Sequence, residues 1–261
     1  MKTLLMVAVH KPYRMPEDPA YLPLFVGAAG KETPEPGWQR DDVGENISEK
    51  NATFCELTGH YWLWKNADAD AYGLCHYRRY FAGGLPFGKK HQQILTSKQL
   101  ERLLARADVI VPKKRHYYIE TNYSQYAHAH HACDLELTRQ IIGERCPEYL
   151  PHWDREMSRR SGHRFNMFVM KRDRFNEYSA WLFDILFELE KRLDISDYSD
   201  YDRRVFGFVA ERLLDVWLGG RQIKPLECRV THLESQHWGK KILAFLARRR
   251  KGRAQEMGES V

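Results

Sequence analysis

The stretch that decides the reading of this 261-residue chain is Tyr72-Gly73-Leu74-Cys75-His76-Tyr77-Arg78-Arg79-Tyr80-Phe81. Its first half, Tyr72–His76, is a short apolar run of the kind a buried strand uses, and Asp68-Ala69-Asp70 ahead of it makes the turn into that strand. Its second half sets two arginines between aromatic rings, just beyond the strand's carboxyl end. In open α/β sheets that is where ligands bind. Guanidinium groups beside flat rings suit a nucleotide diphosphate, with rings for the base or sugar and N–H donors for the phosphate oxygens. The competing reading is that loops at strand ends are solvated and therefore charged in any case. Composition alone leaves both open for Arg78 and Arg79.

Outward from this centre the pattern repeats. Leu4–Val9 is another short apolar run, opening into His10-Lys11-Pro12-Tyr13. Asp108–Val111 is a third and leads to Pro112-Lys113-Lys114-Arg115, whose cations read as ordinary solvated charge. Phe165–Met170 is strand-like. Helices lie between these runs. One starts at Asn46, where Asn46 and Glu49 have capping-box spacing and Phe54, Leu57, Tyr61 and Trp64 follow at intervals of three and four. Thr96 and Gln99 repeat that spacing before Leu100–Ala105, and Tyr117–Cys146 is polar and aromatic, with a helical second half. Glu177–Leu193 and roughly Arg203–Leu218 are amphipathic, the latter stopping at Gly219-Gly220. Residues 14–45, rich in Pro, Gly and charge, read as a long functional loop. Apolar strands alternating with helices predict an α/β fold: a mainly parallel sheet flanked by helices, with a helical C-terminal half. One domain spans residues 1–239, and residues 240–261 form a tail.

Composition narrows the function classes. Five cysteines with no C-x-x-C pair argue against a disulfide framework or a zinc knuckle and for a cytoplasmic setting. The apolar run after Met1 is too short for a signal peptide and has no small-residue cleavage site, and no run approaches the length of a membrane span. The net charge of +6 invites a nucleic-acid partner, but residues 240–261 hold seven basic and two acidic residues. The excess therefore belongs to the tail and not to a groove, so no nucleic acid is expected.

Several side chains could carry chemistry. Asp68-Ala69-Asp70 and Asp200-Tyr201-Asp202 spell D-x-D, which in nucleotide-sugar transferases holds Mg²⁺ or Mn²⁺ beside the diphosphate. Asp68 and Asp70 precede their strand, on the wrong edge for that task, so they read as a turn. Where an acidic pair would be expected stand Arg78 and Arg79, which could neutralise a leaving diphosphate without metal. No cofactor is therefore required, with Asp68, Asp70, Asp200 and Asp202 as the fallback if Mg²⁺ or Mn²⁺ takes part. Glu211, on a late amphipathic helix, is the best-placed general base, or else a surface ion-pair partner of Arg212. His128, His130 and His131 with Cys133 do not match a metal-site spacing.

The motifs His10-Lys11-Pro12-Tyr13, Asp42 to Asn51, Cys55-Glu56-Leu57-Thr58, Tyr72 to Phe81, Asn166 to Met170 and Gly207 to Leu213 together resemble the DUF4422 family of bacterial capsule, exopolysaccharide and O-antigen proteins. The resemblance runs from about Leu4 to Trp238. It implies a GT-A-like galactofuranosyltransferase that takes UDP-galactofuranose as donor and a growing, polysaccharide or lipid-linked glycan as acceptor, with inversion. A transferase using another nucleotide sugar and a non-catalytic glycan-binding subunit are the alternatives. Placed on these motifs, His10 and Tyr13 would flank the uracil or ribose, with His76 and Tyr77 in the same donor site. Asn46, Ser48 and Lys50 would hold the nucleotide at a helix N-terminus. Arg78 and Arg79 would stabilise the departing UDP, Asn166 would touch a sugar, and Glu211 would activate the acceptor. The basic, partly apolar tail could lie on the inner face of the membrane or serve as a solubilising extension.

Overall fold

Alternate residues of the first apolar run face two different cores. Met6 and Ala8 belong to one buried cluster, and Leu5, Val7 and Val9 to another. A strand buried on both faces must be apolar throughout, which is why Thr3–Val9 (β1) shows no polar alternation. Leu74 and Cys75 divide in the same way on Ala71–His76 (β4), as do Val109 and Ile110 on Val109–Pro112 (β6).

The computed structural model describes residues 1–83 and 88–234. The remaining strands within it are Tyr21–Phe25 (β2), Gln39–Arg40 (β3), Arg79–Ala82 (β5), Arg115–His116 (β7), Ser161–Gly162 (β8), Phe168–Lys171 (β9) and Leu226–His232 (β10). The helices are Asn51–Phe54 (α1), Leu57–Asn66 (α2), Ser97–Leu104 (α3), Asn122–Ala127 (α4), Ala132–Arg145 (α5), Leu150–Ser158 (α6), Arg172–Arg192 (α7) and Val205–Gly220 (α8).

The sheet is mixed, which corrects the expectation of a mainly parallel one. β3, β2, β1 and β4 are parallel neighbours. Beyond them β9 runs antiparallel to both β4 and β6, and β5 runs antiparallel to β4 and β10. β10 rejoins β6 in parallel, while β7 and β8 form a separate two-stranded ribbon. The helical second half packs its α5, α7 and α8 residues into the first cluster, and α3 covers the second.

Residues 14–45 are not a structureless loop, because they contain β2 and β3. Pro23 inside β2 and the two-residue length of β3 hid both. β3 reaches only Leu24 and Phe25, so Pro23 sits where β2 has no second neighbour and proline is tolerated. The helix expected from Asn46 is broken into pieces. Asn46 Oδ1 accepts the Ser48 N–H at 3.1 Å, starting a 3₁₀ turn at Ser48–Lys50 without the Glu49 half of a capping box. α1 then ends at Cys55, whose φ of +53° is in the left-handed region, and α2 starts afresh. The Thr96–Gln99 capping box is present as expected.

α2 lays Gly59 against Met6, Leu24 and Val26, where an added Cβ would come within 2.5 Å of the Met6 sulfur. One turn position later, His60 is buried between α2 and α7, its Nε2 2.8 Å from Ser179 Oγ. Burial pushes its imidazole down to about 3. The unfolded chain therefore takes up a proton near pH 6.5 that the fold refuses. The contribution of His60 to stability is fully present above that pH and declines by up to roughly 1.4 kcal/mol per unit as pH falls towards 3. Melting measured against pH should show this slope, and His60→Gln should lack its share of it. Identical slopes in the two proteins would reject the assignment.

Candidate functional site

The parallel arrangement of β1 to β4, together with β6 and β10, brings their carboxyl ends to one edge of the sheet. β5 and β9 run the other way, so Arg79 and the residues before Phe168 arrive at that same edge. Three side-chain groups are assembled along it.

The first is centred on Asp41, which is fully buried just past β3. Its carboxylate accepts the N–H groups of Gly27 (2.8 Å) and Ala28 (3.0 Å) and the hydroxyls of Ser48 and Thr58. Gly27 has φ +65°, and a Cβ there would overlap the Asn51 side chain. The loop after β2 is thereby fixed against the start of the helical segment.

The second is centred on Tyr77, 5% exposed. His10 and Tyr13 meet its ring edge-on, each with centroids 5.0 Å away, while Lys11 and Arg78 lie over it at 5.6 and 4.9 Å. Partial burial and the cations of Lys11, Arg78 and Lys31 hold the His10 imidazole below its ordinary value. Cations thus gather around this aromatic group. Arg78 is ion-paired with Glu234 at 3.0 Å, on the rim.

The third group contains the candidate chemistry. Arg79 lies over the Phe165 ring at 4.6 Å, is mostly buried, and its Nε has no hydrogen-bond partner among the described residues. Desolvation and Arg78 depress its pKa, while Glu211 and Glu56 act in the opposite direction, which places both carboxylates within its field. Glu211 Oε1 accepts the Phe165 N–H at 3.1 Å, and its Oε2 lies 3.3 Å from the buried Arg212 guanidinium. Asn166 Nδ2 donates to Glu56 Oε1 (2.8 Å) and to the Gly207 carbonyl (3.0 Å), and His76 Nε2 is 2.6 Å from the Phe165 carbonyl. Phe165 and Asn166 have φ of +81° and +50°. For a bulky residue such as Phe165 this conformation costs energy, of order 1–2 kcal/mol, and the bonds around it keep it in place.

Of the expected site residues, the structure thus brings together His10, Tyr13, Tyr77 and Arg78, and separately His76, Arg79, Asn166 and Glu211. It does not bring Asn46, Ser48 and Lys50 to them through free donors. Asn46 is engaged with Asp42, Gly44 and Ser48, the Ser48 hydroxyl is bonded to Asp41, and Lys50 pairs with Glu190 at 2.6 Å. Asp68 and Asp70 occupy the opposite sheet edge, tied to Arg172 and to the Lys2 N–H. Asp202 accepts from Ser199 and pairs with His130 at 3.1 Å, while Asp200 is exposed. His130 stacks on Phe208 and His131 on Tyr198, so that histidine cluster is packed into aromatic neighbours. Among the described residues no group of three or more His, Cys, Asp or Glu could hold a metal ion. No helix among them is long and apolar enough to cross a membrane. The tail, residues 240–261, lies outside the described residues.

Glu56 and Asp41 were not singled out from sequence. Glu56 lies in the Cys55–Thr58 motif, yet only the left-handed turn at Cys55 and its tie to Asn166 bring it to the site.

The fold is similar to that of WbbM, a bifunctional glycosyltransferase whose apo structure superposes with a TM-score of 0.82 at 30% sequence identity. The match covers 90% of this chain and 46% of that one, so this chain spans less than half the length of that protein. No curated protein matches. Residues 4–222 match the family model described as Domain of unknown function (DUF4422), and the chain belongs to that family.

Proposed function

We propose that this protein is a GT-A-like glycosyltransferase that moves galactofuranose from UDP-galactofuranose to a hydroxyl of a growing bacterial surface polysaccharide, with inversion. The observation that carries the reading is the convergence of Arg79, Glu211, Glu56 and Asn166 at the carboxyl edge of the sheet. The likeness to part of a bifunctional glycosyltransferase supports it, as does the family resemblance of the motifs that supply these residues.

In this reading the Tyr77 group, with His10 and Tyr13, receives the uridine, and the cations of Arg78 and Arg79 face the diphosphate. Arg79 is the inner of the two and has no ion pair among the described residues, so its charge is available to the leaving group. The acceptor oxygen attacks the anomeric carbon from the side opposite UDP. The bond to the β-phosphate oxygen breaks and Glu211 takes the hydroxyl proton. Asn166, held between Glu56 and Gly207, presents its remaining amide oxygen to a sugar hydroxyl. Asn46, Ser48 and Lys50 act through the loop they brace. Charge-assisted donors on developing phosphate charge are the larger electrostatic contribution in such a site.

UDP release should be measured with UDP-galactofuranose and UDP-galactopyranose, with an acceptor glycan and with a strong chelator present. Turnover of the furanose donor that survives chelation is the expected result. Turnover of the pyranose alone would reject the donor, and loss under chelation would reject the metal-free role given to Arg78 and Arg79. If neither donor reacts and UDP leaves the melting temperature unchanged, the transferase reading fails.

A further inference from the structure

The β7–β8 ribbon ends in a tip where Tyr118 is 78% and Ile119 47% exposed, an unusual pair of large apolar side chains facing solvent. This tip is well braced. The Tyr117 N–H donates to the Arg160 carbonyl (2.8 Å), the Asn122 N–H to the Arg159 carbonyl (2.7 Å), and Arg160 Nη1 to the Tyr118 carbonyl (3.2 Å). Beneath it Tyr117 is buried, its hydroxyl accepting from Arg164. Tyr118 has φ +61°, so the backbone turns its ring outward at some conformational cost.

The exposed charges next to the tip in sequence are cations. Lys113, Lys114 and Arg115 lead into it along the chain and Arg160 braces its backbone, and among the described residues none of the four is in a salt bridge. Arg159 is neutralised by Glu156. Glu120, the acid nearest the tip in sequence, is buried and faces His128, 2.7 Å away. An amphipathic ring and an aliphatic side chain beside unpaired cations is the chemistry of a membrane interface, with apolar groups at headgroup depth and cations on lipid phosphates.

We infer that this tip is a contact surface for a bilayer carrying anionic phospholipid. The partner is fixed by charge complementarity, since a neutral surface would leave Arg115 and Arg160, which no acid pairs among the described residues, uncompensated. Its position gives the contact a purpose that rests on the proposed transferase reading. β6 is parallel to β10 and runs antiparallel to β9, as β4 does, so the tip follows β6 at the same sheet edge as Arg79 and Glu211. Docking there turns the candidate site towards a lipid-linked acceptor.

The full chain should be compared with Tyr118→Ser/Ile119→Ser and Arg115→Glu/Arg160→Glu in flotation with phosphatidylcholine vesicles, with and without phosphatidylglycerol. The unaltered protein should bind only the anionic vesicles, and less so as salt is raised. Each double variant should reduce that binding about tenfold or more with an unchanged melting temperature. The tail is present in every sample, so retained binding by both variants overturns the assignment, as does equal binding of the unaltered chain to neutral vesicles. UDP release to a water-soluble acceptor should be the same for all three proteins. If no donor is consumed by any of them while the vesicle result holds, the transferase reading fails and the membrane contact stands.

Discussion

Glu211→Gln is expected to lower glycosyl transfer by roughly 10²–10⁴-fold while leaving UDP binding in place, the range for loss of a general base. The substitution keeps the shape of the side chain and retains an oxygen for the Phe165 N–H, so the strained Phe165–Asn166 turn should persist. What it removes is the proton acceptor and the negative charge beside Arg212 and Arg79. Saturating turnover measured together with calorimetric UDP affinity separates the two effects. A rate within a small factor of the unaltered protein would reject Glu211 as the base. If Glu56→Gln instead produced the larger loss, the role would pass to Glu56, which reaches the same turn through Asn166.

Asp41→Ala is expected to destabilise the fold by about 3–5 kcal/mol, since each buried donor left without a partner costs roughly 1–3 kcal/mol. Two of its four donors, the Gly27 and Ala28 N–H groups, are backbone and cannot turn elsewhere. The hydroxyls have some recourse, as Thr58 also reaches the Cys55 carbonyl at 3.2 Å. The loss should therefore sit between the cost of two orphaned groups and that of four. Asp41→Asn keeps the volume but offers only one acceptor oxygen, and should fall between the two proteins. Urea unfolding of all three checks the order. An Asp41→Ala protein within about 1 kcal/mol of the parent, the ordinary size of a surface change, would show that the loop relaxes around the gap.

The sequence was most legible where burial alone decides structure. β1, β4 and β6 are apolar because both of their faces are covered, and their runs are readable as such. Direction was not legible: nothing in Phe168–Lys171 says that it enters between β4 and β6 antiparallel to both. β2 and β3 escaped notice because Pro23 and a two-residue strand carry no periodic signal. At the site, Arg79, Asn166 and Glu211 could be picked out by type and place. Their separation from Arg78 could not, since that follows from Glu234 meeting Arg78 on the rim while Phe165 covers Arg79. The start of β9 was placed three residues early for a physical reason. Phe165 and Asn166 belong to an apolar run but are held left-handed by bonds to Glu211, Glu56 and His76, and local pattern yields to the site there.

The place of β10 has a consequence for how this protein is made. Leu226–His232 is the last strand described, yet it lies between β5 and β6 and supplies the hydrogen-bonding partner of each. The family match ends at residue 222, four residues before that strand begins. Until β10 emerges from the ribosome, the nascent sheet carries two open edges that invite pairing with other chains. Arg79 meanwhile has His76 of β4 on one side but lacks its second neighbour, His232 lying opposite it in the finished sheet. The sheet edge that carries the candidate site is thus completed only once residue 232 has been made, by a strand that lies beyond the family match.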